Sequence, residues 1–229
     1  MTNKEYPRRT GVQSRVRNSG AYHHGDLRAA LIAAARQILE EDGFTALSLR
    51  GAARVAGVSQ TAPYHHFADK DALLASVATQ GFEELARTME ARMRRTRGCI
   101  ARLRAAGVGY VSFAVANPAL FRLMFAGTTR RFSDNATLAA AGQHAYGILE
   151  TALAEMLPAS QRDGNDARIA CLTAWSVVHG LAKLFTETDL DPASYGAKDA
   201  ESLTAKLLAQ MGAEKMVAVQ PRRRNDSPG

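Results

Sequence analysis

The spacing of its apolar residues constrains this chain most. From residue 25 to residue 213 they recur every three or four positions, as in LRAALIAAARQILEE and FEELARTMEARMR, with Ala and Leu dominant and Gly or Pro falling mainly between periodic segments. That period gives an α-helix one buried face, and no run alternates β-branched residues as a half-buried strand would. The sequence therefore predicts an all-α fold. With 229 residues the chain can bury a real core, in one large domain or in a small one followed by a medium one.

The pattern divides into elements. A first helix is expected from Asp26 to Glu41, with Leu27, Leu31, Ala34, Ala35 and Ile38 on one face and Gly43 ending it. Phe44 and Leu47 are placed to plug a small core. Ser48 is expected to be the N-cap of a second helix, Leu49 to Val55, and a third opens with Ser59 and runs to about His66. Between them stands AGV, residues 56 to 58, where glycine permits a tight turn, so the three have the form of a helix-turn-helix. A longer helix begins near Asp69, and further helices are expected at 99–116, 118–126, 134–157, 165–187 and 197–213. The expected organisation is a basic arm (1–21), a small helical module (22–75), a larger helical domain (76–213) and a basic tail (214–229).

The net charge of +7 is concentrated at the ends. Lys4, Arg8, Arg9, Arg15 and Arg17 face a single Glu5 before the first helix, and Arg222, Arg223 and Arg224 cluster in the tail. Such segments are attracted to polyphosphate surfaces; for the tail, a solubilising role is the alternative. Cys99 and Cys171 make no CxxC pair and are read as reduced core thiols. The opening MTNKEYPRRTGVQSRVR lacks an apolar signal core, and no uninterrupted apolar run approaches a bilayer span, so a cytoplasmic protein with no membrane partner is expected.

Residues 57 to 70, GVSQTAPYHHFADK, crowd polar side chains between two helical patterns. A metal site needs donors spaced three or four apart on a helix, whereas the adjacent His65 and His66 point about 100° apart, so no metal is expected. Ser59, His65 and Asp69 are the right types for a nucleophilic site but lack a glycine-rich elbow or oxyanion loop; no catalytic residue and no cofactor is assigned. DNA reading fits better. Ser59, Gln60, Thr61 and Ala62 are short or hydrogen-bonding at the leading end, suited to base edges, and Tyr64, His65, His66 and Lys70 follow within reach of phosphate. Phe67 is expected to anchor the small core.

SLRGAARVAGVSQTAPYHHFADKDALL closely resembles the DNA-binding module of the tetracycline-repressor (TetR) family, and the likeness extends over about residues 22 to 75 through GDLR, the aromatic residue after Gly43, and Ser48. Thr61 stands where many members carry glycine, and Pro63 where they carry an aliphatic residue. The resemblance implies that Gln60, Thr61 and Ala62 face base edges, that Tyr64, His66 and Lys70 contact phosphates, and that His65 does either. It also implies that the arm ending at Tyr22, His23 and His24 lies along the DNA backbone or reaches the minor groove through Arg15 or Arg17. The alternative for His23 and His24 is local packing against the first helix.

Downstream, AWSVVHGLAKLF places Trp175 and His179 on one helical face beside Gly180. With NPALFRLMF upstream, this resembles the WHG-type C-terminal domain of the same family. Trp175 and His179 either line an effector pocket with Tyr110, Phe113, Met124 and Phe125, or pack the core with His179 in a buried hydrogen bond or dimer contact. Leu149, Leu153, Met156, Leu172, Val177 and Leu181 supply apolar side chains for a homodimeric four-helix bundle, some of them plain core. The expectation is a non-enzymatic regulator, acting as a homodimeric repressor on a near-palindromic double-stranded operator and released by a small molecule of unknown identity; the alternatives are a ligand-independent or activating regulator and, from another class, a helical metal protein or enzyme that uses the histidines.

Overall fold

The computed structural model describes residues 27–125, 135–158, 162 and 164–211. Among them are eight α-helices, two short 3-10 turns and no strand. The helices are α1 (Leu27–Glu41), α2 (Leu49–Val55), α3 (Lys70–Arg94), α4 (Cys99–Ala116), α5 (Pro118–Phe125), α6 (Ala136–Ala154), α7 (Asn165–Glu187) and α8 (Ala200–Gln210). The all-α expectation holds, and Arg15, Arg17, His23, His24, Asp26 and the C-terminal arginines lie outside the described residues.

Local chemistry fixes the small module. α1 buries Leu31, Ile32, Ala34, Ala35, Ile38 and Leu39 along one stripe, and Gly43 leaves it at φ +80°, a conformation that only glycine adopts without strain. Ser48 caps α2, its hydroxyl accepting from the Gly51 N–H at 3.0 Å. Gly57, at φ +70°, makes the turn out of α2. Leu47 plugs the core as expected at 2 % exposure, whereas Phe44 is 41 % exposed. The Phe44 ring instead lies under the Lys70 ammonium, 4.7 Å from its centroid, and thereby covers the long side chain.

The third helix departs from expectation. In place of a helix from Ser59 to His66 there is a single 3-10 turn, Ala62–His65. The physical reason is Pro63. An α-helix opening at Ser59 would send its first ladder bond from residue 63, and proline has no N–H to donate. The chain closes i to i−3 bonds instead, Ala62 N–H to Ser59 O at 3.1 Å and Tyr64 N–H to Thr61 O at 3.2 Å. Ser59 contributes no side-chain cap; its hydroxyl pairs with that of Thr61 at 3.2 Å.

α3, 25 residues long, joins the two halves. Asp69 caps it, accepting from the Ala72 N–H at 2.8 Å. It packs on α1 at one end and on α4, α5 and α6 along the rest. Its approach to α4 is close: a Cβ at Gly109 would fall 3.1 Å from the Met89 Cα and 3.3 Å from the Thr88 carbonyl oxygen. α4 runs through the middle of the larger half, touching α3, α6, α7 and α8. A 3-10 turn at Pro192–Tyr195 precedes α8, which therefore starts at Ala200 rather than 197 and is capped by a reciprocal Asp199–Ser202 box. Arg92 of α3 holds α8 through two 2.6 Å bonds to Glu201. Both cysteines are free, but only Cys171 is buried; Cys99 is half-buried. α4 and α7 match a membrane span in length and apolar character; α4 turns that character into core, whereas α7 leaves part of it uncovered.

Replacing Ser48 by Ala should lower the stability of the folded chain by about 1 kcal/mol in denaturant unfolding, with Ser48→Asp retaining most of it, because only the cap acceptor changes.

Candidate nucleic-acid interface and apolar cavity

The short turn separates its residues cleanly by exposure. Pro63 and Phe67 point inward and are buried, Ala62 is half-buried, and Ser59, Gln60, Thr61, Tyr64, His65 and His66 face solvent. Phe67 is the anchor the sequence predicted, at 2 % exposure, with the Arg28 guanidinium 5.3 Å from its ring centroid. Tyr64 is 53 % exposed, with its ring and hydroxyl open to solvent. Lys70 donates to the Phe44 carbonyl at 3.1 Å, so its ammonium is held in place with donors to spare. Arg50 and Arg54 were not anticipated from the sequence. Both are exposed on α2 opposite the buried Leu49, Ala52 and Ala53, and their spacing of four on that short helix was the available signal. Among the described residues no group of three His, Cys, Asp or Glu side chains could hold a metal ion.

Two side chains of α1 reach from this module to the larger half. The Glu40 carboxylate accepts from the backbone N–H groups of Leu120 at 3.0 Å and Ala119 at 3.4 Å, in the first turn of α5. Those donors have no partner within α5, and the helix dipole there favours a negative charge. Arg36 donates to Glu84 of α3 at 2.5 Å and to the Asn117 side-chain oxygen at 2.7 Å. Asn117 in turn donates to the Phe113 carbonyl at the end of α4. The start of α5 is thereby clamped to α1, α3 and α4 together.

The other end of α5 reaches a cavity of about 210 Å³. Tyr110, Phe125 and Trp175 line it as the sequence suggested, joined by Phe82, Met89, Tyr146 and Leu149, with Gly142 opening space beside Phe82. Phe113 and Met124 are packed elsewhere. Met124 is fully buried against α3 at Gly81, and Phe113 borders a wide, open cleft of about 1270 Å³ between α3, α4 and α8 that also carries Arg87, Arg95 and Lys198.

His179 stands behind the cavity wall. Its Nδ1 lies 2.9 Å from the Tyr110 hydroxyl, which also accepts from the Trp175 indole N–H at 3.4 Å. Its ring centre is 4.7 Å from Phe125 and 5.1 Å from Trp175. Burial, reinforced by the positive charge of Lys183, pushes the imidazole pKa below its ordinary value, with Glu187 opposing. Burial raises the Tyr110 phenol, and burial with the adjacent Cys171 thiol raises Tyr146 to about 12. Tyr110, Tyr146 and His179 are therefore uncharged near neutrality.

A small helical module that presents a polar turn to solvent and is clamped through α1 to a helical domain with an apolar cavity has the organisation of a DNA-binding regulator. Family models agree. Residues 31–77 match the N-terminal model described as bacterial regulatory proteins, tetR family, and residues 103–211 match the tetracyclin repressor-like C-terminal domain. The chain belongs to the TetR family of transcriptional regulators.

Solved structures share the fold. A protein of unknown function from Rhodococcus sp. RHA1 is 33 % identical with a TM-score of 0.68, over 82 % of this chain and 95 % of that one. PfmR from Thermus thermophilus, a TetR family transcriptional regulator, is 17 % identical with a TM-score of 0.59, over 79 % and 96 %. FadR from Bacillus subtilis, solved in complex with stearoyl-CoA, is 17 % identical with a TM-score of 0.61, over 83 % and 98 %. A search of curated protein sequences returned no match.

The lowered His179 pKa has a defined sign. The unfolded chain binds a proton at this site more readily than the folded one, so the contribution is fully present above about pH 6.5 and is lost as the pH falls toward the folded-state value. Thermal unfolding of the wild type should show this loss on acidification, and His179→Gln should flatten that part of the profile.

Proposed function

We propose that this regulator is a homodimeric repressor that binds a near-palindromic operator through the turn at residues 59–66 and is released when a small molecule fills the cavity between α3, α4, α6 and α7. The observation that carries the reading is the polar face of that turn, presented outward on the buried anchors Pro63 and Phe67. In this reading Gln60, Thr61 and Ala62 meet base edges, with Ser59 at the leading edge, while Tyr64, His65, His66 and Lys70 contact the backbone. Arg50 and Arg54 add phosphate contacts. Arg15, Arg17 and His24 belong to an arm that follows the groove. The division of labour is a reading module at 22–75 and an effector and dimerisation domain at 76–213, flanked by basic segments.

Dimerisation is supported by one side of α7. Ile169, Leu172 and Leu184 are 59 %, 53 % and 48 % exposed, and together with Ser176 and Gly180 they repeat every three or four residues. Apart from its two chain neighbours and the adjoining backbone of its own helix, no described atom comes within 4 Å of where a Gly180 Cβ would stand, so a partner helix can approach there. This face differs from the sequence expectation: Leu149, Leu153 and Leu181 are core of the single chain, and of the residues named for the bundle only Leu172 is exposed. Two copies related by a two-fold axis through α7 would present their reading turns to two half-sites.

Release follows from differential affinity. A ligand preferred by a conformation whose reading turns do not fit consecutive grooves shifts the population toward it. Phe125, on the cavity wall, belongs to the same short helix whose first turn Glu40 caps. The binding of stearoyl-CoA by the distant FadR supports a ligand-responsive domain of this shape.

The double variant Tyr64→Ala, Lys70→Ala should lose operator binding by at least about tenfold while its helical circular dichroism is unchanged, and the slope of log affinity against log salt should fall by about 1 for the lost lysine contact. Unchanged affinity and salt dependence in the folded variant would contradict the assigned reading face.

A further inference from the structure

The cavity that the effector reading depends on has a chemistry of its own. Its volume of about 210 Å³ exceeds the roughly 150 Å³ of an apolar cavity that stays dry and takes up benzene by only about one further small ring or substituent. Its walls present aromatic edges and faces at right angles. Phe82 and Phe125 meet at 5.4 Å and 76°, and Tyr146 and Trp175 meet at 6.0 Å and 87°, an arrangement into which a planar ring fits through edge-to-face contacts. None of the described side chains that line it carries a charge near neutrality, so a carboxylate or phosphate among them would be stripped of water without a counter-ion from those residues.

Among the described lining residues two carry hydroxyls, Tyr110 and Tyr146, and that of Tyr146 is paired with the Cys171 thiol. The Tyr110 hydroxyl can make three hydrogen bonds, and two are taken, by the Trp175 indole N–H and by His179 Nδ1. Among the described residues the third is unfilled. We propose that the cavity selects a compact, uncharged aromatic molecule of one or two rings that carries at most one hydrogen-bonding group, placed against the Tyr110 hydroxyl. This rests on the effector reading for its regulatory meaning but not for its chemistry. It separates this chain from a receptor for long acyl chains, since the cavity has no room for one.

The chain carries a built-in reporter, because Trp175 in the cavity wall is its single tryptophan. Trp175 emission is titrated with para-cresol and naphthalene, with para-toluate as the ionised counterpart of similar size, and with stearoyl-CoA. The neutral probes are expected to give a saturable change, and para-toluate to bind at least about a hundredfold more weakly. A side chain at Gly142 would enter the cavity beside the Phe82 ring, whose nearest atom lies 3.9 Å from the would-be Cβ. Gly142→Leu should therefore abolish the response, and Gly142→Ala, which relieves a helix-interior glycine, should weaken it while raising the melting temperature.

Tighter binding of para-toluate or stearoyl-CoA than of para-cresol, no response to any neutral probe, or an undiminished response in both Gly142 variants would overturn the proposal. Operator affinity measured alongside keeps the two readings apart. Para-cresol that binds without weakening operator binding would support the ligand chemistry and overturn effector release. Stearoyl-CoA that releases the operator would support effector release and overturn the ligand chemistry.

Discussion

The Glu40 carboxylate at the first turn of α5 is a direct contact between the two halves, and the proposed coupling of cavity and reading turn depends on it. Taken singly it is weak: a charge at an exposed helix N-terminus contributes about 0.3–1 kcal/mol, and the neighbouring Arg36–Glu84 pair, with both side chains about 30 % exposed, contributes less than about 1 kcal/mol. Its importance is positional. α5 has only eight residues, with one end held by α1 and the other bearing Phe125 on the cavity wall. A short rigid element gripped at one end and pressed at the other has few ways to absorb a change in the cavity without moving α1.

The rest of the fold places these contacts. Gly109 lets α3 and α4 come close enough for a continuous core beneath the cavity, and the Arg92–Glu201 bridge holds α8 across the same pair. The small module has little core of its own beyond α1, α2 and the Leu47 and Phe67 plugs, so its orientation is inherited from α3 and from the Glu40 and Arg36 contacts.

What the sequence revealed follows the range of the interactions involved. Ser48 as a cap, Gly57 as a turn and Asp69 as the start of a helix were legible because such features are decided within four residues, and the break between the helices expected at 99–116 and 118–126 was legible for the same reason. The shortened third helix was legible in principle, since the missing N–H of Pro63 falls on the first ladder bond, although in the first turn of a helix that loss is expected to cost least. Phe44, Phe113 and Met124 were misplaced because helical period tells which face a residue occupies but not which neighbour covers it. The cavity was half legible: Tyr110, Phe125 and Trp175 were found from their type, whereas Phe82, Tyr146 and the space beside Gly142 come from how α3, α6 and α7 meet. The exposed stripe of α7 was invisible for the same reason, as Leu172 and Leu181 look alike until packing separates them.

The central claim is that the junction of Glu40 with α5 carries the state of the cavity wall to the reading turn. A double-mutant cycle between Glu40→Gln and Phe125→Ala, read out as operator affinity, tests it most directly. Coupling above about 0.5 kcal/mol is expected, with Phe125→Ala altering operator binding in the wild-type background and much less once Glu40 is neutralised. Additive effects, or an effect of Phe125→Ala that persists unchanged in the Glu40→Gln background, would contradict it.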